Sequence, residues 1–395
     1  MKKLKNVFIF AFIFLVLIVS THVDAIEDSI KNSFYEKNYR MVMVADKVKK
    51  YLMEQYNIKE EFEDKYPEYY GGIYINEDAE NVIIQIVKEN IPKENSNDFD
   101  IYNKIVSFDD SVKIVFVRNT FNELNEINNK ISQYIVDEKD NNVIGCYIDV
   151  ISNKVAIEII DNSARNIKKI ESSNDLKRTA VQFEKSQVSS LHAITMNAGG
   201  IFISHYLNNK YTFCSMGFRT KYNNQNGYVS AGHCFDDDLQ PPSGIVTKKQ
   251  YKHNENYDYG FVAINSNYSA TNNLNYPSGN VTKLAVVNYC PTITTGMTVA
   301  KSGATTYYTS GKVKGLNQTV TYTNGVKIKG LVKTNVYNSE GDSGAPVFVP
   351  REDSQGGAIL LGVLSGGAPG IAGIGTKMYF TSVNNMPSQF LTNRY

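Results

Sequence analysis

Gly341-Asp342-Ser343-Gly344-Ala345-Pro346 places one serine between glycines, in a half of the chain built from short β-forming runs. A Gly-Asp-Ser-Gly tetrapeptide alone should arise by chance in a chain this long at roughly the per cent level, so its meaning depends on its company. Upstream stand Ser230-Ala231-Gly232-His233-Cys234 and Tyr257-Asp258-Tyr259-Gly260-Phe261-Val262-Ala263-Ile264. A histidine, an aspartate and a serine thus follow one another in that order, each inside a glycine-bearing motif.

The chemistry of acyl transfer needs these residue types. A serine hydroxyl is a poor nucleophile at neutral pH and needs an imidazole to take its proton. The imidazole needs a carboxylate to hold its tautomer and to stabilise its charged form. Ser343 is the candidate nucleophile, His233 the candidate base and then acid, and Asp258 the orienting carboxylate. The glycines around Ser343 allow a sharp turn that aims the amides of Gly341 and Ser343 at one point, as an oxyanion hole requires.

Around these motifs the second half reads as all-β. Thr212 to Phe218, Gly227 to Ser230, Phe261 to Ile264, Lys312 to Leu316, Val326 to Val332, Ala345 to Val349 and Ile359 to Leu364 are short runs between Gly, Asn and Ser clusters. Only the last dozen residues read as helical. Roughly 200 residues of short strands predict a sandwich or barrels.

The first half differs. Tyr70 to Asn76 and Val82 to Val87 read as a β-hairpin, and Ile144 to Asp149 with Val155 to Ile160 repeat the pattern. A strand, Lys113 to Val117, precedes the second copy. Phe121, Leu124, Ile127, Ile131, Tyr134 and Ile135 recur at helical spacing, with Thr120 and Glu123 as a capping box. Met41 to Tyr56 reads as another helix. Residues 26–170 are therefore expected to be an α+β region of two similar lobes, and the polar stretch 171–192 a linker.

Lys2, Lys3 and Lys5 precede an unbroken apolar run from Val7 to Val19, and Val23-Asp24-Ala25 offers small residues to a signal peptidase. The run is shorter than the roughly 20 residues of a span, so residues 1–25 are expected to be a cleaved secretory signal and the mature protein extracellular. The 395 residues carry 42% hydrophobic and 21% charged residues, which excludes wholesale disorder and collagen-like repeats. The net charge of +1 hides an asymmetry. Residues 26–192 hold 22 basic and 30 acidic residues (−8), whereas residues 193–395 hold 16 basic and 9 acidic (+7), so the two halves should attract. Four cysteines are too few for a disulfide scaffold of this size.

The three motifs resemble those of the chymotrypsin-like serine peptidases. The chain beyond its signal is similar to the secreted bacterial branch that includes alpha-lytic protease and the streptogrisins. Gly199-Gly200, the pair Cys214 and Cys234, Val299-Ala300-Lys301-Ser302-Gly303-Ala304-Thr305-Thr306 and Leu364-Ser365-Gly366-Gly367 match that branch, and the repeat in residues 70–160 resembles its pro region. The resemblance implies an all-β double β-barrel protease domain at 193–395, preceded by an α+β two-lobed pro region at 26–192. His233 and Asp258 would come from the first barrel and Ser343 from the second. It implies a secreted serine endopeptidase made as a self-processing proenzyme, cleaved between about Leu191 and Asn197. The pro region would assist folding and block the cleft.

It also implies a Cys214–Cys234 disulfide beside the base, substrate backbone held along Ser365, Gly366 and Gly367, and a Lys301–Asp342 ion pair. Ala300, Ser310 and Tyr337 or its neighbour stand where further family cysteines would be, which leaves over Cys146 and Cys290, read as two buried thiols, with a transient bridge between them as the alternative. Tyr337, Asn338 and Ser339 should enter the specificity pocket. No Asp occupies its floor and no His precedes Ser365, so an uncharged, apolar residue before the scissile bond is expected, with Lys377 as the opposing feature. The partners expected are protein or peptide substrates and the chain's own pro region. Nucleic acid, membrane, cofactor and metal are not expected, and the processed enzyme should be a monomer. Asp236-Asp237-Asp238 reads as a solvated loop, and His205 and His253 as surface histidines. The alternative is a catalytically silent secreted binding protein on the same fold, which would need a broken triad or a blocked oxyanion hole. A hydrolase of non-peptide esters is a third reading.

Overall fold

The computed structural model describes residues 36–392, apart from 60, 63, 138–139, 187–202, 208–209, 236–245, 265–272, 276–280, 286–290, 324, 351–357 and 369–375. The signal, the expected cleavage stretch, the Asp236–Asp238 loop and Cys290 lie outside the described residues.

The N-terminal half contains one unit twice. A helix over 36–55 packs on the antiparallel hairpin Tyr70–Ile75 and Val82–Val87. Helix Asn97–Val106 then crosses to strand Val112–Val117, which lies parallel to Val82–Val87. The second copy has helix Phe121–Val136, hairpin Val143–Asp149 and Lys154–Ile159, helix Ala164–Asn174 and strand Val181–Lys185, again parallel to its neighbour. The Thr120 hydroxyl and the Glu123 carboxylate cap each other's amides, as the sequence predicts.

Two expectations are corrected here. Residues 171–192 are not simply a linker, because helix Ala164–Asn174 runs into them and Val181–Lys185 completes the second sheet. That strand has only Val181 fully buried, so its apolar alternation is weak and the polar composition concealed it. The run Thr212 to Phe218 is not one strand. It breaks between Lys210–Cys214 and Phe218–Tyr222, where the Ser215 amide turns to the Ser343 carbonyl.

In the C-terminal half six strands close on themselves. In ring order they are Thr298–Gly303, Tyr307–Thr321, Lys327–Thr334, Lys377–Ser382, Ala358–Ala368 and Pro346–Val349. Closure leaves no free edge within this barrel and fills its interior with side chains. Before it comes a four-stranded antiparallel sheet in the order Val246–Asn254, Tyr257–Ile264, Gln225–Ser230, Phe218–Tyr222.

The two halves share main-chain pairing. Strand Tyr307–Thr321 pairs its first part with Thr298–Gly303, and along Leu316–Val320 it pairs with Gly145–Ile148 of the N-terminal half. One apolar cluster runs continuously from Val42, Leu52 and Ile84 through Ile148 to Val313, Leu316 and Phe380. A second seam lies at 292–298. Asn38 exchanges hydrogen bonds with the Thr298 backbone, Asp46 accepts from the Thr292 amide at 2.8 Å, and the Ile75 amide donates to the Thr295 carbonyl at 2.9 Å. Gly296, at φ +87°, lies so close that an added Cβ would sit 1.9 Å from the Ile75 carbonyl oxygen.

Candidate active site

The turn carrying Ser343 is positioned by its flanking glycines. Gly341 has φ +96° and Gly344 has φ +83°, a region that side chains other than hydrogen rarely enter. A Cβ on Gly344 would also lie 1.9 Å from Ser230 Oγ. The turn is tied to the Ala358–Ala368 strand, because Gly344 N donates to the Leu364 carbonyl at 2.7 Å and Leu364 N to the Ala345 carbonyl at 2.9 Å. Ser215 holds the other side: its amide donates to the Ser343 carbonyl at 2.6 Å and its hydroxyl to the Gly341 carbonyl at 2.8 Å. Among the described residues no backbone acceptor takes the amide of Gly341 or Ser343.

Cys214 and Cys234 form a disulfide. It links the segment that grips the Ser343 turn to the short 3-10 helix Gly232–Phe235 that carries His233. His233 Nδ1 lies 3.0 and 3.1 Å from the two carboxylate oxygens of Asp258, and its amide donates to Oδ1 at 2.8 Å. Nδ1–H facing a carboxylate leaves Nε2 as the acceptor of the ring. Asp258 is fully buried at the start of strand Tyr257–Ile264. Burial alone would push its carboxyl up, but His233, then His253 and the Ser365 hydroxyl, outweigh that and hold it below the ordinary carboxylate range.

Ser365, expected from the resemblance to hold substrate backbone, is also tied to the buried carboxylate. Its hydroxyl donates to Asp258 Oδ2, and the Tyr322 hydroxyl lies 3.0 Å from Ser365 Oγ. Thr381 Oγ1 also donates to the Asp258 carbonyl at 3.1 Å. Sequence reasoning missed the Tyr322–Ser365–Asp258 chain, because the three residues are far apart and a lone tyrosine or threonine carries no motif. Ser343 Oγ donates to the Ser365 carbonyl at 3.4 Å, and among the described residues no hydrogen bond joins it to His233.

Asp342 is buried and paired with Lys301 Nζ at 3.2 Å, as the resemblance implies. Thr306 completes the site: its hydroxyl donates to Asp342 Oδ2 at 2.5 Å and also meets Lys301 Nζ. Burial lowers the Lys301 ammonium below its ordinary value, and Asp342 opposes that only in part. Asn338 is buried and donates to the Lys377 carbonyl at 2.8 Å, Ser339 N donates to Asp342 Oδ2 at 3.1 Å, and Tyr337 is exposed. Gly366 and Gly367 lie in strand Ala358–Ala368, opposite Tyr379 and Met378.

His253 is not the surface histidine expected; it is half-buried with its ring 5.7 Å from that of His233. Cys146 is a buried thiol, pushed up to about 12 chiefly by burial, with Ser132 Oγ at 3.3 Å. Among the described residues one His/Cys grouping is close enough to hold a cation, Cys214, His233 and Cys234. Both its sulfurs are spent on the disulfide and offer no thiolate.

Residues 33–111 match the family described as Pro-like N-terminal domain. The chain is 30% identical over 161 residues to serine protease 2 of Streptomyces fradiae, covering 39% of this chain and 87% of that protein. It is 30% identical over 166 residues to streptogrisin-A of Streptomyces griseus, covering 42% of this chain. To streptogrisin-C of the same organism it is 27% identical over 265 residues, covering 65% of this chain. The chain spans about half the length of the two streptogrisins, 52% and 53%. Among solved structures it is similar to Thermobifida fusca protease A, at 28% identity and TM-score 0.40, over 51% of this chain and 96% of that one. The chain belongs to the bacterial chymotrypsin-like serine peptidases, with a pro-like region ahead of the peptidase fold.

Proposed function

We propose that the chain is a serine endopeptidase made as a secreted precursor. The observation that carries this reading is the His233–Asp258 pair, buried and oriented by Ser365, beside a glycine-framed turn that presents Ser343. With a peptide bound, Ser343 Oγ swings from the Ser365 carbonyl toward His233 Nε2, gives up its proton and attacks the scissile carbonyl. The amides of Gly341 and Ser343 hold the resulting oxyanion. His233 then protonates the leaving amine, and water hydrolyses the Ser343 ester with His233 again as base. Substrate backbone runs along Ser365, Gly366 and Gly367, and the side-chain pocket is bordered by Tyr337, Asn338 and Ser339.

Residues 1–25 direct secretion, residues 26–192 act as the pro region and residues 193–395 as the protease. The strand added at Leu316–Val320 and the contacts at 292–298 support a folding role for the pro region. Expression of 193–395 alone should give little active enzyme. The decisive experiment is fluorophosphonate labelling of the processed chain. Label on Ser343 is expected, and Ser343→Ala should be unlabelled and accumulate as uncleaved precursor. A processed chain that resists labelling would point to a binding protein instead.

A further inference from the structure

Two lysines of the C-terminal half converge on one carboxylate of the N-terminal half. Lys333 Nζ lies 3.1 Å and Lys377 Nζ 2.9 Å from the same oxygen, Oε1 of Glu158. Their strands are neighbours, with Lys333 opposite Tyr379 and Thr334 opposite Met378. Glu158 is only 2% exposed. Lys333 also lies over the Tyr147 ring at 3.9 Å and 3.6 Å from Glu184, while Lys377 meets the Ser186 hydroxyl. Every anion that the described residues offer these two ammoniums thus comes from the N-terminal half.

We infer that Lys333 and Lys377 form a carboxylate-binding subsite of the protease, occupied in the precursor by Glu158 and opened to an acidic substrate side chain when the N-terminal half leaves. This rests on the reading proposed above and specifies its substrate class. The place of Lys377 links the subsite to the cleft. Lys377 pairs with Ala368, one residue beyond Gly367, and its carbonyl accepts from Asn338. An added Cβ on Gly367 would touch both that carbonyl, at 2.1 Å, and the Asn338 side chain. The strand that would carry substrate and the wall residue Asn338 therefore both abut the backbone of Lys377, which places the root of its side chain at the cleft wall.

The chemistry selects an anion. Two ammoniums held close together repel, and withdrawing their shared counter-ion leaves that repulsion uncompensated. A carboxylate entering from a substrate restores the pairing, whereas its neutral amide isostere does not. Burial would by itself raise the Glu158 carboxyl, yet the two lysines hold it below its ordinary value, so a carboxylate here is charged at neutral pH. The apolar preference expected from the missing Asp and His yields to these lysines, which sequence spacing does not bring together.

The test uses enzyme processed from the full chain and peptide sets that differ only in Glu, Gln, Leu or Lys at each position flanking the scissile bond. At one position Glu should exceed Gln in kcat/KM by about tenfold or more, with the ratio falling as salt rises. Lys377→Met should bring the Glu/Gln ratio toward one, and Lys377→Arg should retain most of it. If Lys377→Met fails to fold around a Glu158 left with Lys333 as its one cation, the same substitution in a Glu158→Gln precursor gives the readout, because residue 158 is absent from the processed enzyme. Fluorophosphonate labelling is read in parallel. Enzyme labelled at Ser343 with no Glu preference, or with a preference untouched by Lys377→Met, overturns the subsite alone. No label and no turnover overturns the subsite and the peptidase reading together.

Discussion

Asp258 illustrates how much of a site can hang on one buried carboxylate. Its oxygens receive the His233 ring, the His233 amide and the Ser365 hydroxyl. A hydrogen bond to a charged group contributes about 1.5–3 kcal/mol, so Ser365→Ala should lower kcat/KM by roughly 10- to 100-fold while fluorophosphonate still reaches Ser343. The depressed Asp258 pKa also has a sign. A carboxyl whose folded value lies below its unfolded value stabilises fully above the unfolded value, about 3.9, and loses that contribution as pH falls through the folded one. Acid unfolding of the Ser343→Ala chain should therefore draw on Asp258 only below about pH 4, and adding Ser365→Ala should move the onset upward. Lys301 gives a stability test. Lys301→Met would leave Asp342 buried without its cation, a loss of about 3–5 kcal/mol by denaturant unfolding. The His233–Asp258 pair was legible in the sequence because acyl transfer demands fixed residue types. Tyr322, Thr306 and the Glu158 cluster were not, since a hydroxyl or a surface-type charge acquires its role only from neighbours that folding supplies.

Elements were legible where one face is buried and the period is clear. The capping box at Thr120 and both hairpins of the N-terminal half fall where their patterns put them. Strand Val181–Lys185 was concealed because a mostly half-exposed strand lacks a clean apolar alternation. The loop at 292–298 was equally silent, since its value is proximity to Ile75 rather than any pattern of its own. Gly296→Ala tests that contact. The positive φ alone costs about 1–2 kcal/mol, and the Cβ would collide with the Ile75 carbonyl. Thermal unfolding of the precursor should drop, and limited proteolysis should cut the 36–136 region first.

At the scale of the molecule the charge split is a statement about assembly. The net values of −8 and +7 are realised locally in Glu158 and Glu184 set against Lys333 and Lys377. After processing, the two pieces should therefore separate more readily as ionic strength rises, which inhibition of the enzyme by its own released N-terminal half, titrated at several salt concentrations, would report. Unchanged inhibition from low to high salt would mean that the strand pairing and apolar packing, not the ion pairs, hold the complex.

Strand Tyr307–Thr321 changes partners midway, and the second partner belongs to the half that the proposed processing would release. Removing it strips Leu316–Val320 of a hydrogen-bonded neighbour and converts the flank of a sealed barrel into an unsaturated sheet border. Bare borders of that kind recruit whatever extended chain is at hand, including a second copy of themselves. A protein so liberated would inherit a stickiness that its precursor lacks. Its shelf life in concentrated solution would be governed by five residues that catalysis does not use.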